Sequence, residues 1–209
     1  MRIRKRFVFV KKVFSRYYWR MKTKQIYNYV ERLSNLLRID VRGSGAQQGL
    51  QPIHIEALHY LSICNRYSDT PMAVTEYLGL TKGTVSQTLK VLEKKGFIGK
   101  VGDINDKRVM HLKLSLKGRR LLQASIPSPL FVQACNVLSE DSQNQITSAL
   151  NTLLLGIQQS SGMKSFGVCH TCRYNRKNGD GSILCELTQE SLSEDDVMLI
   201  CREHDSVSQ

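Results

Sequence analysis

Four of the six cysteines lie close together near the end of the chain, in a spacing that suits a metal centre. Cys169 and Cys172 are separated by two residues, and Cys185 and Cys201 follow after gaps of twelve and fifteen residues. A Cys-x2-Cys turn directs two thiolates at one centre, and four thiolate or imidazole ligands complete the tetrahedral shell of zinc. An iron–sulfur cluster can use the same four thiolates. The pattern predicts a metal site, with zinc as the first choice and an iron–sulfur cluster as the alternative.

The elements that must position these cysteines are a turn and a short helix. The residues Asn-Gly-Asp-Gly at 178–181 can turn the chain back toward Cys185. Ser193, followed by three acidic residues, predicts the start of a final helix. Cys201 and His204 are three residues apart and would share a face of that helix. His204 is therefore an alternative ligand to Cys201.

A second set of polar residues lies in the middle of the chain, where the pattern is that of a helix-turn-helix. Residues 72–78 predict a short helix, Gly79 suits the left-handed position that ends it, and the Thr81 hydroxyl can cap the next helix. In that next helix, apolar residues recur at i, i+4 and i+7 and should face inward: Val85, Leu89 and Leu92. The opposite face carries Gly83, Gln87, Lys90 and Lys94, with Thr84 and Ser86 at its flanks.

The residue types on this face suit entry into the major groove of DNA. Glutamine can read an adenine edge, serine and threonine can bond bases or phosphates, and lysine neutralises phosphate. An ordinary amphipathic helix with a solvated basic face would look the same, so the helix alone does not decide between the two interpretations. The residues after it favour DNA, because strands at 97–101 and 109–114 enclose a polar turn with Lys107 and Arg108 at its end. A basic hairpin in this place is a wing that can enter the minor groove.

These motifs closely resemble the MarR family of winged helix-turn-helix transcriptional regulators, over about residues 25–155. The resemblance rests on an ordered set of segments: Thr75-Glu76-Tyr77-Leu78-Gly79-Leu80-Thr81-Lys82-Gly83-Thr84-Val85-Ser86, Leu92-Glu93-Lys94-Lys95-Gly96-Phe97-Ile98, Asp106-Lys107-Arg108 and Leu114-Ser115-Leu116-Lys117-Gly118. It implies a homodimer, held by its N- and C-terminal helices, that binds a palindromic double-stranded DNA operator. A small-molecule effector is compatible with this class.

The resemblance also implies roles for individual residues. Arg108 would enter the minor groove, Asp106 would orient it through a salt bridge, and Ser86 and Gln87 would stand at base-reading positions. The complete set of predicted DNA-binding residues is Thr81, Lys82, Thr84, Ser86, Gln87, Lys90, Asp106, Lys107 and Arg108. One departure from the family lies further on, where Pro127 and Pro129 should interrupt a helix that is long in the family.

The charge distribution supports a nucleic-acid partner only in part. The net charge is +12, of which residues 1–24 contribute +10 and residues 81–120 contribute +8, the remainder being neutral to acidic. The charge at 81–120 coincides with the predicted helix and wing and argues for DNA. Residues 1–24 are predicted to be a basic tail, either disordered or upstream of a true start at Met21, with a nucleic-acid arm as the alternative.

The predicted fold is mainly α with a small β-hairpin wing, in four parts. Residues 1–24 form the tail, residues 25–157 a winged helix-turn-helix domain with a helical dimerisation region, residues 158–168 a linker, and residues 169–209 a small cysteine-rich module. No stretch approaches the roughly 18 apolar residues that span a bilayer, so no membrane partner is expected. No secretion signal is evident, which predicts a cytoplasmic protein.

A metal-containing regulator has competing interpretations. Some concern the role of the cysteines, and others concern the function of the whole chain. Structural disulfides are disfavoured because a DNA-binding chain works in a reducing compartment. A redox pair at Cys169 and Cys172 lacks the expected βαβ context, although a redox or electron-transfer protein with the helix-turn-helix as an interaction domain is the alternative function. Sequence-independent DNA packaging is the third. No catalytic triad, phosphate loop or carboxylate pair is evident, so the protein is not expected to be an enzyme.

Overall fold

The computed structural model describes residues 3–104 and 106–206, and describes the backbone alone at residues 3–20 and at Ser44. In this part of the chain the elements follow in the order α1 (Ile3–Ala46), α2 (Pro52–Ile63), α3 (Pro71–Leu78), α4 (Lys82–Lys94), β1 (Ile98–Gly102), β2 (Met110–Leu114), α5 (Leu116–Ser125), α6 (Pro129–Asn136), α7 (Glu140–Ser161), a 3₁₀ turn (Cys169–Thr171), β3 (Asn175–Lys177), β4 (Ile183–Cys185), β5 (Glu190–Leu192) and α8 (Glu194–Met198). The mainly helical fold with a small antiparallel hairpin confirms the predicted fold class.

The long helix α1 bears on the predicted basic tail. Within the described residues it continues past residue 24 without a break. Met1 and Arg2 lie outside the described residues, as do the side chains of residues 3–20. A separate tail, or a start at Met21, therefore stays a prediction.

The helix-turn-helix follows from its capping residues. Thr70 accepts a hydrogen bond from the backbone N–H of Ala73, and Pro71 occupies the first turn of α3, where its missing N–H has no intrahelical partner to lose. Gly79 ends α3 with φ of 63°, a conformation that side chains with a Cβ disfavour. The Thr81 hydroxyl accepts from the N–H of Thr84 and starts α4. The sequence prediction for these two helices is confirmed.

One apolar core joins α2, α3, α4, α5 and the hairpin. Its largest fully buried side chains include Tyr60, Phe97, Ile55, Leu58, Leu92 and Leu112. The hairpin pairs β1 with β2 antiparallel, with Ile98 opposite Leu114 and Gly102 opposite Met110. Because Leu112 is buried and its N–H bonds to the carbonyl of Asp69, the hairpin is fixed to the turn between α2 and α3. The wing is thereby held in a constant position beside α4.

The predicted interruption after the wing is also present. Helix α5 ends at Ser125, and Ser128 caps α6, with Pro129 in its first turn. Helix α7 begins after Ser139. None of the described residues of α6 or α7 is buried within this chain, so their apolar side chains face outward.

The cysteine-rich module is a three-stranded antiparallel sheet in the order β3-β4-β5, flanked by the 3₁₀ turn and α8. The final helix is shorter than predicted, because α8 ends at Met198. The segment after it is extended: Ile200 donates its N–H to the carbonyl of Ile63 and accepts from the N–H of Asn65. The prediction that Cys201 and His204 share a helical face is wrong, since pairing with the end of α2 competes with the helix.

The module packs directly on the winged-helix unit, which consists of α2 to α5 and the hairpin. The predicted linker at 158–168 begins inside α7, and its Phe166 is buried in the core with its ring edge against Tyr60 and Tyr77. Arg202 forms two hydrogen bonds of 2.7 Å to the Glu76 carboxylate of α3. The segment is thus a packed connection, and the module has a defined position on the winged-helix unit. In the part of the chain that the structure describes, no helix is long and apolar enough to cross a membrane.

Candidate nucleic-acid interface and metal centre

Helix α4 presents a polar face because its apolar residues are used by the core. Val85, Leu89 and Leu92 are buried, as their spacing predicts. The predicted contact residues on the other side are all exposed: Thr81, Lys82, Thr84, Ser86, Gln87 and Lys90. The hydroxyls of Thr81 and Thr84 are 2.9 Å apart and hold the first turn of the helix together. The exposed polar side chains between Lys82 and Lys90 can therefore contact an external partner from one side of the helix.

The wing ends in an oriented arginine. The Arg108 side chain is 91% exposed, and its Nε and Nη2 donate to the Asp106 carboxylate at 3.0 and 2.8 Å. Asp106 also accepts from the backbone N–H of Arg108, while its own N–H donates to Asp103. The hydrogen bonds from Arg108 lower the pKa of Asp106. The predicted ion pair is present, and it extends the guanidinium outward beside the exposed Lys107.

The base of the wing contains an ionic network that the sequence analysis missed. His111 of β2 bonds through Nδ1 to Asp69, in the turn between α2 and α3, and through Nε2 to Asp103 at 3.1 Å. Lys113 donates to the second oxygen of Asp69 at 2.5 Å. The two carboxylates raise the pKa of His111, Asp69 having the larger effect. No local sequence signal joins these residues, because Asp69 lies 42 positions before His111.

The four C-terminal cysteines line one small cavity. Cys169, Cys172, Cys185 and Cys201 border a space of about 30 Å³, and Asn65 of the winged-helix unit borders it too. All four are free thiols. Among the described residues, no group of three or more His, Cys, Asp or Glu side chains is arranged so that it could hold a metal ion as it stands. The thiols thus share a cavity without forming a closed coordination shell.

Two of the four sulfur atoms of this cavity accept a hydrogen bond from a nitrogen donor. The Asn175 side-chain amide donates to Cys169 Sγ, and the backbone N–H of Asp205 donates to Cys172 Sγ, both at 3.5 Å. Burial raises the pKa of the Cys169 thiol, and the neighbouring thiols act in the same direction. A bound cation would offset this repulsion between thiolates.

The alternative ligand His204 is not part of this cavity. Its Nδ1 bonds with the Ser165 hydroxyl at 2.8 Å and its Nε2 with the Thr171 hydroxyl at 2.9 Å. The imidazole also packs on the backbone of Gly167, where an added Cβ would lie 2.4 Å from the ring. Burial lowers the pKa of His204. The geometry does not support His204 as a ligand, since both nitrogens are engaged elsewhere.

Part of the chain matches a known family model. Residues 48–109 match the model of the MarR family. This segment contains α2, α3, α4, β1 and the turn of the hairpin. It is similar to a MarR-type winged helix. Among curated proteins, none matches the chain significantly.

Solved structures are similar to the winged-helix unit and the helices around it. MepR from S. aureus in its DNA-binding conformation has 26% sequence identity and a TM-score of 0.55, covering 63% of this chain and 98% of its own. The S. aureus MepR–DNA complex has 26% identity and a TM-score of 0.51, covering 62% and 97%. A MarR transcriptional regulator from Methanosarcina mazei Go1 has 18% identity and a TM-score of 0.56, covering 65% and 98%, and shows the fold alone.

The structure brings together most of the residues that were singled out in sequence. The α4 residues share one face, Asp106 and Arg108 form an ion pair, and the four cysteines line one cavity. Asn65 of the winged-helix unit also borders that cavity. The sequence analysis missed it, because nothing in its sequence surroundings relates it to the cysteines. It lies at the cavity only because the module packs on the turn after α2.

Proposed function

We propose that the protein is a sequence-specific DNA-binding transcriptional regulator of the MarR type. The observation that carries the proposal is the exposed polar face of α4 beside an exposed, carboxylate-oriented Arg108 on one rigid core. The family match at 48–109 and the similarity to MepR bound to DNA support it. The partner is double-stranded DNA.

In this proposal α4 enters the major groove and the wing enters the adjacent minor groove. Gln87 and Ser86 face base edges, while Lys82, Thr84 and Lys90 contact phosphates. Arg108 lies in the minor groove, where negative potential attracts arginine. The N-terminus of α4, with Thr81 as its cap, faces the DNA backbone.

The active species in this proposal is a homodimer. Helices α1 and α7 expose apolar side chains at helical spacing, namely Ile26, Val30, Leu33, Leu37, Ile146, Leu150, Leu154 and Ile157. A stripe of this kind is covered in a stable soluble protein, and a second copy of the chain supplies a matching stripe. Two copies of α4 would then contact half-sites about 34 Å apart on a palindromic operator.

A small-molecule effector has a place to bind in this proposal. A cleft of about 900 Å³ lies between α1 and α5, bordered by Asp40, Gln48, Lys117, Arg120 and Leu121. Its volume is within the range of small-molecule sites. A ligand there would contact both the dimerisation helix α1 and α5, the helix that follows the wing.

The test is a binding series on a duplex selected from a random pool by the wild-type protein. Gln87→Ala should weaken binding by roughly 1–3 kcal/mol and relax sequence preference at one position, whereas Lys90→Ala should weaken all sequences and reduce the salt slope by about 1. Arg108→Ala should also weaken binding. Arg176→Ala, a basic residue of the cysteine module, is the control and should have no effect. Unchanged affinity in all three variants would refute the proposed surface.

The finer part of the proposal concerns the cysteine module, which would sense metal or redox state. Zinc is the first choice of cofactor and an iron–sulfur cluster the alternative, as four thiols border one cavity. The competing function, redox or electron transfer, would depend on the same thiols. Cys169→Ser with Cys172→Ser should remove the response of DNA binding to metal. Two results together would favour the competing function. The wild type would bind no operator, and a redox activity would be unchanged in Arg108→Ala and Gln87→Ala.

A further inference from the structure

We propose that the four thiols bind a single Zn²⁺ in a site shared with the DNA-binding unit, and that zinc strengthens DNA binding through the segment Ile200–Arg202. The inference rests on the proposed function for its second half only. Zinc binding by Cys169, Cys172, Cys185 and Cys201 is a property of the module and its packing, whatever the partner of α4.

The size of the cavity suits a metal centre. The four thiols border a small space of about 30 Å³, well below the roughly 300–1,000 Å³ of sites for organic ligands. Four thiolates complete the tetrahedral shell of Zn²⁺, and zinc binding would draw their sulfur atoms to about 2.3 Å from one ion.

The donors around the cavity suit sulfur that carries negative charge. Asn175 and the N–H of Asp205 already donate to Cys169 and Cys172. Hydrogen bonds to metal ligands of this type orient them and strengthen metal binding. Neutral thiols need no such donors, because a thiol is a weak acceptor.

An independent observation is the unsatisfied amide of Asn65. The residue is 1% exposed and borders the cavity, yet its Nδ2 has no hydrogen-bond partner among the described residues. Its Oδ1 is used, since it accepts from the Ser68 hydroxyl and from the N–H of Tyr67. Leaving a buried donor unpaired is unfavourable, because nothing replaces the hydrogen bond to water that it loses on burial. A zinc-bound thiolate in the cavity would supply the missing acceptor. Because Asn65 belongs to the winged-helix unit, the site would be shared between that unit and the cysteine module.

The segment that carries Cys201 connects this site to the helix-turn-helix. On one side of Cys201, Ile200 pairs with the end of α2. On the other side, the backbone N–H of Arg202 donates to the Ser68 hydroxyl. The Arg202 guanidinium donates two hydrogen bonds to the carboxylate of Glu76 in α3. Zinc bound to Cys201 would therefore fix the segment that holds α3.

Fixing α3 should raise DNA affinity. Helix α3 packs against α4, so a fixed α3 limits the movements of α4 that are lost when it enters the major groove. A surface that is ordered before binding loses less conformational entropy on binding. Coupling between two sites is commonly 5- to 150-fold, and we expect zinc to tighten DNA binding within that range.

The first experiment measures zinc on the full chain, purified without oxygen and stripped of metal with a chelator and a reductant. Competition with a chromophoric chelator should give one Zn²⁺ per chain, and Co²⁺ should give the charge-transfer bands of a tetrathiolate site. Cys185→Ser should lose most of the affinity, while Cys135→Ser, a thiol outside the module, should bind as the wild type does. Asn65→Ala should bind zinc about 10- to 100-fold more weakly. No zinc binding, equal loss in Cys135→Ser, or a brown protein with iron and sulfide would overturn the site.

The second experiment measures DNA affinity of the stripped and zinc-loaded protein on the selected duplex. The wild type should bind about 5- to 150-fold more tightly with zinc. Arg202→Ala should keep its zinc and lose this difference, and Arg176→Ala, which breaks an ion pair within the module, should retain it. Equal affinity with and without zinc would overturn the coupling. Absence of DNA binding in every state would refute the proposed function instead, and the zinc stoichiometry would still decide the site.

Discussion

Arg108 shows how one carboxylate can prepare a side chain for DNA. The guanidinium is fully in solvent but is held by two hydrogen bonds to Asp106, which in turn is fixed by the backbone of the wing. Asp106 places a negative charge where phosphates would approach. Its benefit must then come from orientation, because its charge opposes DNA.

Replacing Asp106 by Asn separates orientation from charge. If orientation dominates, Asp106→Asn should weaken binding to the selected duplex, by less than Arg108→Ala does, even though it removes a negative charge. The measurement is fluorescence anisotropy at several salt concentrations, with Asp180→Asn, an exposed residue of the cysteine module, as the control. Tighter binding by Asp106→Asn would show that charge alone matters at the wing.

At the scale of elements, the sequence predicted what local chemistry determines. The cap Thr81, the left-handed Gly79 and the spacing in α4 each act within a few residues, so the two helices could be predicted from them. The end of α8 at Met198 could not, since it depends on pairing of Ile200 with α2, far away in sequence. The same is true of the network at the base of the wing.

That network should make the stability of the wing depend on pH. His111 faces two carboxylates, Asp69 and Asp103, with Lys113 also on Asp69, and its pKa is raised. A raised pKa in the folded state means that its stabilisation is complete below the unfolded value of about 6.5 and is lost as pH rises through the folded value. Hydrogen bonds to charged groups contribute roughly 1.5–3 kcal/mol.

Thermal unfolding from pH 5 to pH 9 tests this dependence. The difference in Tm between the wild type and His111→Gln should be largest below about pH 6 and should shrink toward alkaline pH. His59→Gln is the control, because burial lowers the pKa of His59 and any dependence on pH should run the other way. A His111→Gln difference that is constant with pH would show that the pKa of His111 is the same in the folded and unfolded protein.

For the whole molecule, the distribution of apolar surface is the main clue. The core of the winged-helix unit is closed, and Phe166 and Ile200 extend it to the cysteine module. Among the described residues, α1, α6 and α7 carry many of the large apolar side chains that this chain alone leaves exposed. The family resemblance predicted a dimer held by the N- and C-terminal helices. Spacing alone cannot tell a core face from an interface, because both have the same period.

Replacement of one α7 residue tests the assembly. Leu150→Asp places a charge in the exposed stripe and should convert a dimer to monomers and abolish binding to a palindromic duplex. Thr152→Asp adds the same charge on the opposite side of α7 and should do neither. Light scattering after size-exclusion chromatography gives the mass. A wild type that is monomeric at all concentrations, or a dimeric Leu150→Asp, would contradict the proposed interface.

The most direct test of the central claim compares two duplexes for the wild-type protein at physiological salt. One is the sequence selected from a random pool, and the other has the same composition in scrambled order. A regulator that reads bases through α4 should bind the selected duplex at least about 10³-fold more tightly. Equal affinity for the two duplexes would indicate sequence-independent DNA packaging and would contradict the account.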